Sequence, residues 1–410
     1  MRLKDVVELV NEKTDRVDRP YVALENIVSW DAKFVVTDAI TEGTNACFKA
    51  GDVLFGKLRP YLAKGYLPDY DGICSTEFLV MRPHRDINGR YILYWMLSPD
   101  FIGVIKNRVA GVKMPRTDWA TISQMELTPH SLDSQREIVA YLDEKTAAID
   151  ARVAVLEKKL AAYKRLKASV INRAVTRGLD PKAKLKDSGV EWIGKVSAGW
   201  EVRRIKDIAK PLQYGASEVG LEYDPDLPRY IRITDISQDG ELRSDCAQSL
   251  SEDVARPYLL RHGDILLARS GATVGKAFVY RGQYGRSAFA GYMIRCRVIP
   301  ACADFRFVHY WLLSSFYQSW IRRAISQATI QNVGADKYAN LTVPLPDVVE
   351  QRAIADYLDA ECAKIDKMTE LVTREIELYK KLKRSLINEV VTGKRPVFAD
   401  KPLRRSKAVA

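Results

Sequence analysis

QREIVAYLDEKTAAID, running from Gln135 to Asp150, returns as QRAIADYLDAECAKID from Gln351 to Asp366. The offset is 216 residues and holds without a gap from Gln135 to Thr176, with 18 identities in 42 positions. An ungapped match of that length is an internal duplication. Neither copy contains Pro or Gly, so each predicts one long helix. In the first copy Leu142, Thr146, Ile149, Val153, Leu156, Leu160 and Tyr163 step by fours and threes, and Val170 follows seven residues on. Leu358, Cys362, Ile365, Thr369, Val372, Ile376, Tyr379 and Leu386 repeat the pattern in the second. A heptad stripe packs against another helix. The simplest partner for each copy is the other, with Leu142, Ile149, Leu156, Tyr163, Leu358, Ile365, Val372 and Tyr379 at the interface. One chain would then hold its own coiled coil, about 60 Å long at 1.5 Å per residue.

The duplication extends upstream more loosely. YWMLS at Tyr94–Ser98 matches YWLLS at Tyr310–Ser314, still at 216. GDVLFGKLR at Gly51 resembles GDILLARSG at Gly263 at an offset of 212, and RLKDVVEL at Arg2 resembles RIKDIAKP at Arg204 at 202. A drifting offset means a shared scaffold with loops that differ. Stretches such as DVLFGKLR, RYIRITDIS and YMIRCRVI alternate apolar and polar residues and predict strands, whereas FRFVHYWLLSSFYQSWIRRAIS predicts an amphipathic helix. Each globular part is therefore α+β. The expected order is a first globular domain over 1–130, a long helix over 131–177 and a linker over 178–198. A second domain over 199–346, a second long helix over 347–392 and a basic tail over 393–410 follow.

Net charge is +12, which points to a polyanionic partner. Residues 151–186 carry eleven Lys/Arg against two acids, and residues 367–410 carry twelve against five, so the positive charge sits in and after the two repeated helices. The six cysteines are scattered without a C-x-x-C pair, which fits a reducing cytoplasm rather than a disulfide framework or zinc site. The N-terminus has no apolar core of a signal peptide, and no apolar run is long enough to span a bilayer.

RSGATVGKA, from Arg269, resembles a phosphate-binding loop, but the first Gly of that motif would fall at Ser270 and Ala277 stands where Ser or Thr binds magnesium. It reads better as a glycine-rich turn between strands. The histidines show no metal-binding spacing, and no hydrolase elbow or methyltransferase motif is present. What remains is basic, polar and aromatic loop chemistry. The first half offers Lys57, Arg59, Tyr61 and Lys64 in one loop and Arg108, Lys113, Arg116 and Thr117 in another. The second offers Arg232, then Arg269, Ser270, Thr273 and Lys276, then Gln327, Thr329, Gln331 and Asn332. Arg and Lys suit guanine edges and phosphates, and Asn and Gln suit adenine edges.

Nearly the whole chain resembles the specificity (S) subunit of type I restriction–modification systems. The resemblance rests on GDVLFGKLRPYLAKGYLPDYDGICSTEFLVMRP, DSGVEWIGKVSAGWEVRRIKDI, PRYIRITDIS, GDILLARSGATVGKA and the two QR-I--YLD…ID helices. It implies two target-recognition domains that each read one half of a split DNA site. Two antiparallel helices would separate them as a spacer with pseudo-twofold symmetry. It also implies a subunit without catalysis of its own, which docks methyltransferase (M) subunits, two in number, and through them restriction/translocase (R) subunits. S-adenosylmethionine, ATP and magnesium would belong to those partners, with no cofactor on this chain and no membrane contact. The rival readings are a recognition subunit of a related type II system and a coiled-coil protein-binding scaffold.

Overall fold

A computed structural model describes all residues except 42, 109–113, 238–241, 283, 327–331 and 398–410. The chain divides into two compact units, Met1–Lys158 with Val372–Ala410, and Lys159–Leu371. The two repeated helices, Leu132–Arg177 and Val348–Val391, are each continuous, so each unit contains part of both.

Both helices end at a left-handed glycine, Gly178 (φ 74°) and Gly393 (φ 73°), a conformation that costs glycine least. The second helix begins where the Asp347 carboxylate accepts the Glu350 N–H at 2.9 Å. Ser131 Oγ does the same for Ser134 N at 3.2 Å in the first.

In the first unit, Val7–Val10, Phe78–Pro83, Val53–Gly56 and Gly65–Tyr66 form an antiparallel sheet in that spatial order. Helices Gly89–Met96 and Pro99–Arg108 cover it. Their core, including Phe55, Trp95 and Phe101, is continuous with Ile138 and Leu142 of the first long helix and Leu386 and Val390 of the second. The second unit repeats this with Gln213–Tyr214, Met293–Cys296, Asp264–Ala268 and Ala277–Tyr280. There Phe307, Trp311 and Tyr317 share a core with Ile171, Val175, Ile354 and Leu358. Each such buried side chain contributes roughly 1.5–3 kcal/mol relative to exposure, so a globular part and its two helix segments form one cooperative body.

A smaller sheet in each unit varies more. Tyr21–Val22 runs parallel to Gly72–Cys74, and Arg229–Ile231 parallel to Ser287–Phe289. Asn45–Phe48 joins Gly72–Cys74 in the first unit, whereas Gln248–Ser249 joins Arg229–Ile231 in the second.

Three local expectations change. FRFVHYWLLSSFYQSWIRRAIS is two helices, Phe305–Leu313 and Ser315–Ser326, because Ser314 is buried and its hydroxyl accepts the Tyr317 N–H. RYIRITDIS is a strand only over Arg229–Ile231. It then tightens into a 3-10 turn at Ile233–Asp235, where the Asp235 carboxylate accepts Arg232 N–H at 2.9 Å. The segment read as a linker folds as an antiparallel hairpin, Leu185–Asp187 with Lys195–Ser197, and sends Ile193 and Val196 into the core. Just beyond it, Trp200 is buried with its indole N–H donating to Glu350 at 3.2 Å.

Candidate nucleic-acid interface

The duplication reaches individual hydrogen bonds. In the first unit Gln135 is buried, accepts the Asn88 N–H at 2.8 Å and donates to His130 O at 3.0 Å. Gln351, 216 residues on, accepts Asp304 N–H at 2.8 Å and donates to Pro346 O at 2.8 Å. Tyr94 Oη donates to Asp143 at 2.6 Å, and Tyr310 Oη to Asp359 at 2.7 Å. Burial pushes the Tyr94 phenol up to about 12, helped by the Asp143 carboxylate. These bonds fix each globular part to the long helix that follows it. The other long helix is held too: Asn388 Oδ1 accepts the Asp100 N–H at 3.0 Å, and Asn172 Oδ1 the Ser315 N–H at 2.9 Å.

The helices themselves run antiparallel in each unit. Lys383 binds Asp150 at 2.8 Å in the first, and Lys167 binds Asp366 at 2.6 Å in the second. The offset of 216 carries Asp150 to Asp366 and Lys167 to Lys383, so this is one ion pair written twice. Leu142, Leu156, Leu358, Ile365 and Val372 are buried in these packings, and Ile149, Tyr163 and Tyr379 are half-buried.

The two basic loops of the first half, far apart in sequence, meet. Leu58 and Arg116 form an isolated antiparallel bridge. Thr117 N donates to Lys57 O at 3.0 Å and Arg59 N to Pro115 O at 2.8 Å. A 3-10 turn over Pro60–Leu62 follows, with left-handed Arg59 before it and left-handed Ala63 after it. Arg59, Tyr61, Arg108 and Arg116 are exposed, Arg116 reaching Glu77 at 3.0 Å, and Lys57 is half-buried.

The second half builds the same junction from different side chains. Ser270 and Asn332 form the bridge, and Val333 N donates to Arg269 O at 2.8 Å. A 3-10 turn over Gly271–Thr273 follows, with Thr273 exposed. The Arg269 guanidinium lies 4.9 Å over the Tyr214 ring and 3.5 Å from Asn332 Oδ1. Tyr214, Tyr223 and Tyr292 are 41%, 50% and 69% exposed, so part of each ring is open to solvent. Nothing local in the sequence separates such an exposed tyrosine from a core one.

Four candidate residues turn inward. Lys64 Nζ donates to Leu24 O at 2.6 Å, with burial holding its amine below the usual range. Lys276, its counterpart at 212, donates to Ile236 O and Ser237 O at 3.3 and 2.5 Å. Both tie the turn to the neighbouring loop. Arg232 is held by hydrogen bonds to Asp235 and by Cys246 O at 2.7 Å. Thr117 is buried, and its hydroxyl makes no hydrogen bond among the described residues. Lys113, Gln327, Thr329 and Gln331 lie outside the described residues.

Among the described residues no group of three or more His, Cys, Asp or Glu could hold a metal ion, and no helix is long and apolar enough to cross a membrane.

Comparison with known proteins is consistent with this geometry. A Type I restriction modification DNA specificity domain matches residues 197–378. The MjaVIII type I restriction enzyme specificity subunit of Methanocaldococcus jannaschii is 22% identical over 370 residues, covering 86% of this chain and 77% of the relative. The EcoBI specificity subunit of Escherichia coli is 23% identical over 319 residues, covering 73% of this chain and 65% of the relative. A chain solved in work on complex assembly and conformational transition of the type I R-M system has the same fold. Its TM-score is 0.72 at 20% identity, over 96% of this chain and 97% of that one.

Proposed function

We infer that this chain, a member of the type I restriction specificity-subunit family, reads a split DNA site for a modification and restriction complex, one half-site per unit. The observation that carries this is the junction found once in each unit. Its backbone bonds are the same, from Leu58 to Arg116 and from Ser270 to Asn332, while the side chains on it differ. A shared frame with different side chains is what two readers of different half-sites require.

The candidate contacts are Lys57, Arg59, Tyr61, Arg108 and Arg116 in the first unit and Arg269, Ser270, Thr273 and Asn332 with Tyr214 and Tyr292 in the second. The partners are double-stranded DNA and methyltransferase subunits, two of them, with restriction subunits joining through the complex. Apolar side chains left exposed on the long helices support such docking. Val155, Leu378 and Leu382 are 56%, 56% and 52% exposed in the first unit. Leu166, Met368 and Leu371 are 49%, 50% and 53% exposed in the second. The chain contributes recognition and no chemistry: S-adenosylmethionine, ATP and magnesium act on the partner subunits, in the cytoplasm.

Replacing residues 1–130 with the matching domain of a relative tests the reading. In cells carrying the modification partner, one half of the methylated motif should change and the other should persist. A swap that alters both halves, or neither, refutes one reader per unit. The purified chain alone should neither methylate nor cut DNA, and activity from a homogeneous preparation would overturn its non-catalytic role.

A further inference from the structure

Among the described residues, four that are not glycine have a left-handed backbone: Trp30 (φ 65°), Ala32 (φ 52°), Arg59 (φ 49°) and Ala63 (φ 46°). All lie in the first unit, in two stretches joined by a hydrogen bond from Trp30 N to Ala63 O at 3.1 Å. A residue with a Cβ adopts this conformation at a cost and keeps it only where its surroundings hold it.

The second unit shows what the turn demands. The offset of 212 that aligns the GDVL and GDIL strands carries Arg59 to Gly271 and Ala63 to Gly275. Both glycines are left-handed, at 72° and 83°. The bonds around them are the same: Gly56 N to Lys64 O at 2.9 Å matches Ala268 N to Lys276 O at 2.8 Å. Leu62 N to Arg59 O likewise matches Val274 N to Gly271 O. One turn is therefore built twice, with glycine at both ends in the second unit and with arginine and alanine in the first. Ala63 is fully buried, so its methyl group fills the interior. Arg59 is exposed, and its side chain makes no hydrogen bond or ion pair among the described residues. Among the described residues of the unit, no contact accounts for an arginine where glycine is the easier choice.

The strain is held from below. Trp30 and Asp31 form a strap from the turn to the helix pair. The Arg384 guanidinium lies 4.5 Å over the Trp30 ring, and Lys383 bridges Asp31 and Asp150. Lys33 closes the same network, 2.7 Å from Asp150 and 3.1 Å from Asp31. The second unit has Ala168 at the position of Arg384.

We propose that Arg59 is a specificity-determining residue of the first half-site, a base-contacting guanidinium presented by a turn whose backbone would otherwise take glycine, and that Trp30 positions it. This rests on the recognition function inferred above. The geometry suits a guanine edge, which accepts a bidentate arginine contact. Relieving the strain should leave the fold intact and remove the reading, the opposite of what a structural residue does.

The test uses the complete modification complex with DNA carrying single-base changes in either half-site. Arg59→Gly should keep or raise the thermal midpoint. It should lower discrimination at one position of the first half-site by roughly ten- to a hundredfold, with the second half-site read as before. Arg59→Lys, which keeps the charge, should lose most of the same discrimination. Arg384→Ala should reduce it less, and again only in the first half-site. A uniform loss over all sequences with a smaller salt slope would make Arg59 a phosphate contact and overturn the proposal. So would Arg59→Gly that melts lower yet discriminates normally. Full discrimination in Arg384→Ala would remove Trp30 from it. If the unaltered complex discriminates at neither half-site, the recognition function itself fails, a result distinct from any of these.

Discussion

Lys383→Met and Lys167→Met alter equivalent positions of one duplicated ion pair and should not cost the same. Lys383 is 12% exposed and faces two carboxylates, Asp31 and Asp150, which are 24% and 26% exposed. Lys167 is 34% exposed and among the described residues binds one carboxylate, Asp366, itself 56% exposed. Breaking a buried pair by removing one partner costs about 3–5 kcal/mol, because the remaining charge stays desolvated. Here Lys33 still reaches both carboxylates, so the loss is nearer about 2–3 kcal/mol for Lys383→Met. The exposed pair at Lys167 falls in the range of about 0–1 kcal/mol. Burial raises the Asp150 carboxyl, and hydrogen bonds from Lys33 and Lys383 more than reverse this, leaving it below its ordinary 3.8. A carboxylate depressed in the folded state adds stability above its unfolded pKa and loses it as pH falls through the folded one. The excess cost of Lys383→Met should therefore be complete at neutral pH and shrink below about pH 3.8. Hydrogen exchange resolved over residues 138–158 and 372–391 reads the first unit apart from the second, which two-state melting of the whole chain does not. A loss from Lys167→Met equal to or larger than that from Lys383→Met would refute the reasoning.

Two further substitutions probe the shared frame and its pH dependence. Gln135→Leu and Gln351→Leu each orphan a backbone N–H and a carbonyl that the buried amide satisfies. Each should destabilise its own unit by about 2–4 kcal/mol, seen as faster exchange over residues 88–96 and 304–313 respectively; equal acceleration in both units would show that they do not respond independently. Burial holds the His309 imidazole down at about 4, with Arg281 and Lys167 adding to the effect and Asp359 opposing it. Between 6.5 and about 4 the unfolded chain takes up the proton first, so stability should fall as pH drops through that window. For a half-buried ring the loss is roughly 1–2 kcal/mol. His309→Gln should flatten the profile measured by exchange of Phe305–Leu313, and an unchanged slope would refute this origin.

The long helices were legible because their periodicity is strong and their ends carry glycine. The duplication was legible as an offset, and the structure gives it a cause. Gln135, Tyr94 and Asp143 recur as Gln351, Tyr310 and Asp359 because each makes the same bond in its own unit. The break at Ser314 was not legible, since a serine inside an apolar helical pattern reads as helix until burial shows its hydroxyl capping the next one. Lys64 and Lys276 misled for a related reason. A lysine in a polar loop looks like a phosphate contact, and only the folded chain shows its amine satisfied by backbone carbonyls. The hairpin over Leu185–Ser197 lay hidden under a composition rich in Gly, Lys and Ser.

The turn after Val53–Gly56 and its counterpart after Asp264–Ala268 carry different side chains on one backbone frame. Bonds that involve only the backbone recur, whether the side chains above them are Lys57 and Arg59 or Arg269 and Gly271. Lysines that tie the turn to its neighbouring loop recur as well. Arg59 against Gly271, Tyr61 against Thr273 and Arg116 against Asn332 are positions that differ between the units, and Arg59, Tyr61, Arg116 and Thr273 are exposed or half-exposed. A substitution at such a position removes no buried partner and leaves the helix contacts of Gln135, Asp143 and Asn388 untouched. At Arg59 the effect on stability is confined to what the backbone conformation itself costs, whereas Arg116 also gives up its ion pair with Glu77. On the proposed recognition function, the packing of the fold and base reading would rest on different atoms of the same loop. A new sequence preference then requires only exposed side chains to change, and the strained Arg59 marks a place where the first unit accepts a conformational cost that the second avoids with glycine.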